Sequence, residues 1–594
     1  MQKNWKLLES PPSSFYEEFP ELPKVVANLL YHRNIRTQQA IDEFLNPDYS
    51  KDVHDPFLFK NMKKAVERIF TAIEKNERIV IHGDYDADGV SASTILFTTL
   101  KNLGAKELDV FLPHRETDGY GLNSRTVDLL HGQGTKVIIT CDCGISNTEE
   151  VNQAEKLGMN VIITDHHSIP IVLPGAFAII HPKVAGETYP DQGLAGGGVA
   201  FKLAQALLFT HQENHTTLLD GESHQAFEKW LLDMVAIASV ADMVPLIGES
   251  RTLTKYGLIV LNKTKRLGLK KLFLEAGIME QDGSLKKEIT ADTIGFQIAP
   301  RINAAGRLDH ANVAFKLLVA EKGTDAVDFA FELGKNNSDR KNKTDTFVKE
   351  AIEQIEKGNQ KQNPILFVIG KDWTTGIVGL IASRLKEKYQ KPTIAMAHNG
   401  GQITGSGRSI AGFNMIESMQ EIPEHFLKFG GHPMACGFTL KENEKMAEFE
   451  ADLIKKYSEK TKGLDMSPTL FIDAEVELKD MNWELYEDLD KFKPFGQANE
   501  RPKYLVQGVS VTGIEQMGAN KQHLKLLVRQ NGGNIKKTIG WRMCEDSEDS
   551  QSINWAKELS IGDKVDLVFE VDVNEWNGNR ELQLTIVDLK KSTI

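Results

Sequence analysis

The sequence predicts a multidomain α/β protein: a doubly wound parallel sheet, a helical linker, a second α/β unit and a C-terminal five-stranded β-barrel. Three observations carry this prediction. At 594 residues the chain exceeds what one core accommodates, and about one domain per 100–200 residues gives three or four. From residue 78, short β-branched runs alternate with helical stretches, as in a parallel sheet buried on both faces. After residue 466 the alternation stops and strand-like runs follow one another with a single short helical stretch among them.

Taken in order, residues 1–75 read as helical and mostly polar. In "AVERIFTAIEKN" (65–76) Val66, Ile69, Phe70 and Ile73 recur at helical spacing, so this segment is expected to pack on the core that follows. Residues 76–310 hold the strands "RIVIHGD", "ELDVFLPHR", "KVIITCD", "NVIITDHH" and "FAIIHP", then helices ending in "LLDMVAIASVADMVPL". Residues 311–360 form the helical linker, with "FELGKNNSDRKNKTDTFVKEAIEQIEK" as its polar helix. Residues 361–465 are the second α/β unit, opening near "PILFVIG". Residues 466–594 contain "YLVQGVSVTGI", "HLKLLVRQ", "IKKTIGWR", "DKVDLVFEVDV" and "RELQLTIVDLK", with "INWAKEL" as the one helix; five strands and a helix fit an OB-fold.

Composition narrows the function classes. Apolar content of 41% with 26% charged residues excludes wholesale disorder, and neither a secretory leader nor a bilayer-length apolar run is present, so a cytoplasmic protein without membrane contact is expected. Four cysteines in such a chain do not make a disulfide framework. The formal charge of −13 argues against a nonspecific basic nucleic-acid binder but leaves room for a local basic channel, because acidic metal ligands enter the sum.

The chemistry gathers at strand ends. "IHGDYDADGVSAS" (81–93) delivers His82, Asp84, Asp86 and Asp88; later segments deliver Asp142, then Asp165, His166 and His167, then Asp242. Ligands of doubly wound sheets bind at the carboxyl ends of the strands. Carboxylates gathered there repel, and divalent cations resolve the conflict. The donor set suits Mn²⁺, with Mg²⁺ feasible and Zn²⁺ or Fe²⁺ open, and its size favours two ions over one. Alone, Asp84 or Asp142 would read as a helix N-cap and one His as a hydrogen-bonded strand end. Coincidence across four separated segments favours a metal centre.

"HGDYDADGVSA", "CDCGIS", "TDHHSIP" and "VADMVPL" resemble the four motifs of the DHH phosphoesterase superfamily. Their order and spacing are similar to its larger members, bacterial single-strand-specific 5′ to 3′ exonucleases, and the likeness extends through "DPFLFKNMKKAVERI", "PHRETDGYGLN", "PRINAAGRLDHA", "GSGRS", "FGGHPMACGF" and "PFGQANERP". The resemblance implies a DHH catalytic domain, a DHH-associated domain facing it across a cleft, and an OB-fold that binds nucleic acid. It implies His82, Asp86, Asp88, Asp142, His166 and Asp242 as ligands of two divalent cations, Mn²⁺ or Mg²⁺, bridged by Asp142. Asp142, His167 and Asp84 form the implied catalytic set, with His167 beside the scissile phosphate and Asp84, like Asp165, orienting ligands. Arg115, Ser406 and Arg408 would hold a terminal phosphate, helped by Arg307 and His432; the alternative for Arg115 and Arg408 is inter-domain salt bridges. Many relatives have Trp-His where "DWTTGIVG" has Trp373-Thr374, so any contact of that histidine is lost or replaced.

In the barrel, Lys525, Trp541 and Trp576 lead a set of nucleic-acid candidates that includes Lys521, His523, Lys536, Lys537, Arg542 and Arg580, against the reading that the tryptophans are core and the lysines solvate strands. "KTKRLGLKK" (263–271) reads as a solvated helix face. The implied function is metal-dependent 5′ to 3′ degradation of single-stranded DNA in recombination and repair, by a monomer with a single-strand-binding protein and a helicase as partners. The alternatives are a phosphodiesterase for short RNA or cyclic dinucleotides and a catalytically inactive DNA-binding scaffold. Retention of every ionisable motif position argues against the scaffold.

Overall fold

The structure, a computed structural model, describes residues 3–545, 553–576 and 578–593, the side chain of Trp576 excepted. Residues 53–245 and 249–466 form one compact unit; residues 1–52, 246–248 and 467–594 form another, which includes strand β1 (Asn4–Leu7).

In the first unit β2 (Arg78–Gly83), β3 (Leu108–Phe111), β4 (Thr135–Cys141), β5 (Asn160–Thr164) and β6 (Ala178–Ile180) form a wholly parallel sheet in the order β3-β2-β4-β5-β6. The runs Ile79–Ile81, Val137–Ile139 and Val161–Ile163 are buried throughout, as strands covered by helices on both faces must be. The chain steps from β2 to β3 on one side and returns to β4 on the other, so the winding reverses between β2 and β4. Registry pairs Gly83 with Cys141 and Cys141 with Thr164, which brings residues 84, 142 and 165 out at one level of the sheet edge. That reversal is the position at which such sheets bind ligands.

Helices Ala87–Asn102, Gly196–Gln212 and Leu232–Ala241 pack on one another beside this edge. Glycine permits the approach: a Cβ on Gly197 would lie 2.4 Å from Cβ of Ala238, and one on Gly196 would lie 2.5 Å from Cβ of Asp142. A 35-residue helix, Gly323–Lys357, packs its length against both α/β parts of the unit. Beyond it β7 (Leu366–Lys371), β8 (Thr393–Asn399), β9 (Gln402–Arg408), β10 (Phe426–His432) and β11 (Ala435–Leu440) form the second sheet, ordered β10-β11-β9-β8-β7. Only β7 and β8 run parallel in it.

In the other unit β12 (Thr469–Ile472) pairs with β1, and β13 (Ala474–Glu475), β14 (Tyr504–Met517), β15 (His523–Arg529), β16 (Lys536–Gly540), β17 (Lys564–Trp576) and β18 (Asn579–Lys591) follow the order β13-β14-β15-β16-β18-β17. Pairing of β14 with β17 closes the barrel, and β14 changes register between Val506 and Val509 and between Val511 and Gly513 as it serves both neighbours. The five long strands are those read from the sequence.

One expectation is corrected. Helix Met62–Glu74 packs on the sheet that follows it, burying Met62, Ala65, Val66 and Ile69, whereas residues 3–52 belong to the other unit. Their Phe15, Leu29, Leu30 and Phe44 share a core with Tyr504, Val506 and Phe569 of the barrel. Helical periodicity marks an apolar face and carries no information about which distant surface covers it. No helix among the described residues is long and apolar enough to cross a membrane.

Candidate metal centre and phosphate pocket

Each carboxylate arrives at the sheet edge by a local device. Asp86 caps helix Ala87–Asn102, accepting from the N–H groups of Asp88 (2.9 Å) and Gly89 (3.1 Å). Asp88, in the first turn, accepts from the N–H groups of Gly196 (2.8 Å) and Gly197 (2.6 Å), which open the helix Gly196–Gln212. Asp142 turns the chain out of β4 with φ +61° in the left-handed region. Asp242 is the C-cap of helix Leu232–Ala241, where the macrodipole disfavours a negative charge.

These groups converge. Ligand atoms of Asp84, Asp86 and Asp142 lie within 4.8 Å of one another, as do those of Asp88, His166 and Asp242 and those of Asp142, His166 and His167. Nε2 of His166 is 3.1 Å from Asp142 Oδ1, 3.5 Å from Asp242 Oδ2 and 3.8 Å from Asp88 Oδ2. Burial holds His166 neutral, its pKa pulled down to about 3 with His167 adding to the effect, so these approaches are not ion pairs. His82 is pulled down to about 4 by burial as well.

The carboxyls respond in the opposite sense. Burial, then the charge of Asp86, pushes Asp84 up to about 8, and the same two causes push Asp242 up to about 7. Asp88 and Asp142 are pushed well above the usual range, first by burial and then by neighbouring aspartates. Oδ1 of Asp84, Oδ1 of Asp142, Nε2 of His82 and Nε2 of His166 are buried without a hydrogen-bond partner. Orphaned oxygen and imidazole lone pairs around a common space, with no thiolate among them, fit hard divalent cations. Asp84, expected to orient ligands, lies in the same group as Asp86 and Asp142. His82 belongs to none of the three groups; its ring stacks 5.3 Å from Phe111 and its Nδ1 is 3.7 Å from Cys143 Sγ.

Asp165 works differently. Its carboxylate accepts from the N–H groups of His166 (2.7 Å), His167 (3.1 Å) and Ile145 (3.0 Å) and from Nδ1 of His167 (2.8 Å). Burial alone would raise it, but the bonds and charge of His167 hold it at about 2. Burial would likewise lower His167, yet Asp165 overrides it and lifts the imidazole to about 9, so His167 is a cation at neutral pH. Tyr120, unmarked by sequence reasoning though inside "DGYG", donates its hydroxyl to the carbonyl of Asp142 at 2.8 Å and sits 3.0 Å from Nδ1 of His167.

A group of arginines that feel one another's charge lies in the same unit. Arg408, at the end of β9, donates Nη1 to Ser406 Oγ (2.7 Å) and to the carbonyl of Gly407 (2.8 Å). Arg307 donates to the carbonyl of Gly376 at 2.9 Å, and Arg115 donates to the carbonyl of Gly306 at 3.1 Å with its guanidinium 3.8 Å above the ring of Tyr85. Burial, then the charges of Arg115, Arg340 and Arg408, pulls Arg307 down to about 9. Among the described residues no carboxylate is ion-paired with Arg115, Arg307 or Arg408; their hydrogen bonds go to the carbonyls of Gly306, Gly376 and Gly407 and to Ser406. The pKa of His432 is lowered by its partial burial and by the charges of His167 and Lys183. Thr374 precedes helix Thr375–Tyr389 without a side-chain cap, and the neighbouring Thr375 donates to Glu116 at 2.5 Å.

In the barrel Trp541 is 55% exposed and meets His523 edge to face, whereas Lys525 is paired with Glu515 at 2.7 Å. The side chain of Trp576 lies outside the described set. Trp483, which no motif marked, is 41% exposed with the guanidinium of Arg580 5.5 Å from its ring.

Comparison with known proteins adds three family matches: "DHH family, N-terminal domain" over residues 78–239, "DHHA1 domain" over 362–459 and "RecJ OB domain" over 472–588. The chain is 37% identical over 570 residues to the single-stranded-DNA-specific exonuclease RecJ of Bacillus subtilis (strain 168), spanning 95% of this chain and 67% of that one. It is 33% identical over 586 residues to the protein of the same name from Escherichia coli (strain K12), spanning 95% and 96%. The crystal structure of RecJ from Thermus thermophilus in complex with Mn²⁺ matches with a TM-score of 0.80 at 25% identity, covering 100% of this chain and 80% of that one.

Proposed function

The chain belongs to the RecJ family of single-stranded-DNA-specific exonucleases, and from that premise we infer that it hydrolyses single-stranded DNA from the 5′ end with two divalent cations, Mn²⁺ or Mg²⁺. The observation that carries this reading is the set of donor groups sharing Asp142, with buried lone pairs that nothing in the protein satisfies. Asp84, Asp86 and Asp142 would hold one ion, and Asp142 with Asp88, His166 and Asp242 the other; His82 offers a further orphaned nitrogen.

Two dications held by these residues would supply water activation and stabilisation of the leaving oxygen in an in-line phosphodiester displacement. The protein's own part is to align the phosphate and hold the protons. His167 keeps its proton at Nδ1 against Asp165 and presents a positive charge beside the scissile phosphate. Arg115, Ser406 and Arg408 hold the terminal phosphate, with Arg307 and His432 along the strand. An end phosphate has more charge and more acceptor oxygens than an internal diester, and unpaired guanidiniums read that difference. Trp541 supplies a stacking surface in the barrel, with Trp576 and Lys525 as further contacts. A monomer in the cytoplasm, served by a single-strand-binding protein and a helicase in recombination and repair, completes the proposal on grounds of family resemblance.

The test compares one single strand labelled at its 5′ or 3′ end, with Mn²⁺ present or chelated. Metal-dependent release of label as mononucleotide first from the 5′ end supports the reading. Release first from the 3′ end, or hydrolysis in excess chelator, contradicts it.

A further inference from the structure

Strand β6 ends at Ile180 and is followed by His181-Pro182-Lys183, residues that the proposed chemistry leaves unused. His181 is fully buried; its Nδ1 accepts from the N–H of Lys183 at 3.1 Å and its Nε2 lies 2.9 Å from the carbonyl oxygen of His167. An imidazole that accepts at Nδ1 carries its proton on Nε2, so His181 donates to that carbonyl. Lys183, exposed at the rim, reaches back and donates Nζ to the carbonyl oxygen of His166 at 2.7 Å. On the other side of the same dipeptide, Oδ1 of Asp165 accepts from the N–H groups of both His166 and His167. Because β5 stops at Thr164, the two histidines lie beyond the sheet ladder and have no strand partner to fix them. All four of their backbone polar groups are instead held by side chains.

We propose that His181 and Lys183 are positioning residues, a clamp on consecutive carbonyls that sets the directions of the His166 and His167 imidazoles. The role rests on the metal-centre reading above, since His166 Nε2 points at Asp142, Asp88 and Asp242 only while its backbone is held. Neither clamp residue touches the reacting atoms. Loss of an outer partner of a metal-binding histidine costs about 10–100-fold in metal affinity or activity.

The experiment measures Mn²⁺ binding to the full chain without DNA, by electron paramagnetic resonance of free Mn²⁺, and separately the DNA affinity and single-turnover cleavage rate. Lys183→Met, at an exposed position, should weaken Mn²⁺ binding about 10-fold or more and slow cleavage at saturating DNA, with DNA affinity and its salt dependence unchanged. Lys183→Arg, which restores an N–H donor, should recover most of both. His181→Gln, which keeps a donor at the far end of the side chain, should stay nearer wild type than His181→Phe. Unchanged Mn²⁺ affinity in Lys183→Met overturns the clamp, and a fall in DNA affinity and salt slope in its place would make Lys183 a phosphate contact. Failure of the wild type to bind Mn²⁺ overturns the metal reading itself, whereas normal wild-type binding with unaltered variants overturns the clamp alone.

Discussion

The edge of the parallel sheet and the surface of the barrel treat charge in opposite ways. At the sheet edge Asp84, Asp88 and Asp142 are buried and crowded by like charge, and Asp84 and Asp142 each keep an orphaned oxygen. On the barrel, partly exposed charges are answered: Lys525 by Glu515, Lys537 by Glu581, Arg501 by Asp572. A buried unpaired carboxylate costs several kcal/mol, while an exposed ion pair contributes about 0–1 kcal/mol. The first arrangement persists only if something absent from the chain completes it, and the second is complete but loosely so. Chemistry belongs to the first and exchangeable strand binding to the second.

Breaking the sheet edge should have the largest effect. Asp142 sits at φ +61°, where asparagine is tolerated better than alanine, so Asp142→Asn isolates the charge from the backbone. It should lower the single-turnover rate by about 10³-fold, at the upper end for one preorganised electrostatic group, while raising the melting temperature in chelator because the crowding is relieved. A variant that is both active and no more stable in chelator would show that Asp142 is not the shared group.

The same crowding gives the metal-free protein an unusual pH dependence. Asp84 and Asp242 are raised in the fold to about 8 and about 7, and His167 to about 9, so the folded state binds more protons than the unfolded one. The stabilisation from these groups is present at low pH and is lost as pH rises through those values. His166 and His82, depressed to about 3 and about 4, act in the opposite sense below about pH 6.5, and Arg307, depressed to about 9, opposes at the upper end, which leaves the window from about 6.5 to 8 chiefly to the carboxyls and His167. Melting temperature in chelator should therefore fall across that window, and saturating Mn²⁺ should flatten the fall. A flat profile in chelator would remove the crowding on which the contrast rests.

Arg408→Ala sharpens the comparison from the cationic side. Loss of a charge-assisted contact of about 1.5–3 kcal/mol should cut the preference for 5′-phosphorylated over 5′-hydroxyl strands by about 10–100-fold, with Mn²⁺ binding intact. An unaltered preference in the folded variant would move the terminus reader elsewhere. On the barrel, Trp541→Ala should weaken binding of long strands by about 1–3 kcal/mol without altering cleavage of short oligonucleotides. Lys525→Ala should do least, changing chiefly the salt dependence of long-strand affinity, because its pairing with Glu515 already competes with phosphate.

The two regions also differ in how far they can be read from sequence. Strand runs such as Ile79-Val80-Ile81, and the acidic residues that follow them, are local patterns, and the parallel sheet brings successive strand ends to one edge wherever the helices between them lie. The convergence of these ionisable residues is legible for that reason, whereas a shared role for Asp142 is implied by the family resemblance and not by the spacing. The destination of residues 3–52 is not legible, because Phe44 meets Phe492, and Phe15 joins the core that holds Tyr504, only across hundreds of residues of chain. Tyr120, His181 and Lys183 escaped because their contacts are to backbone carbonyls, which leave no mark in the spacing of side chains. Whether Lys525 is free or paired depends on Glu515 across the sheet, a registry fact that lysine counting does not contain.

The most direct measurement is the stoichiometry of Mn²⁺ bound by the metal-free full chain, wild type and Asp142→Asn, titrated at about pH 8 and followed by electron paramagnetic resonance. A centre shared through Asp142 predicts two Mn²⁺ per wild-type chain, close enough to couple magnetically, and loss of the coupled pair in the variant. One uncoupled ion in the wild type, or an undisturbed coupled pair in Asp142→Asn, would contradict it.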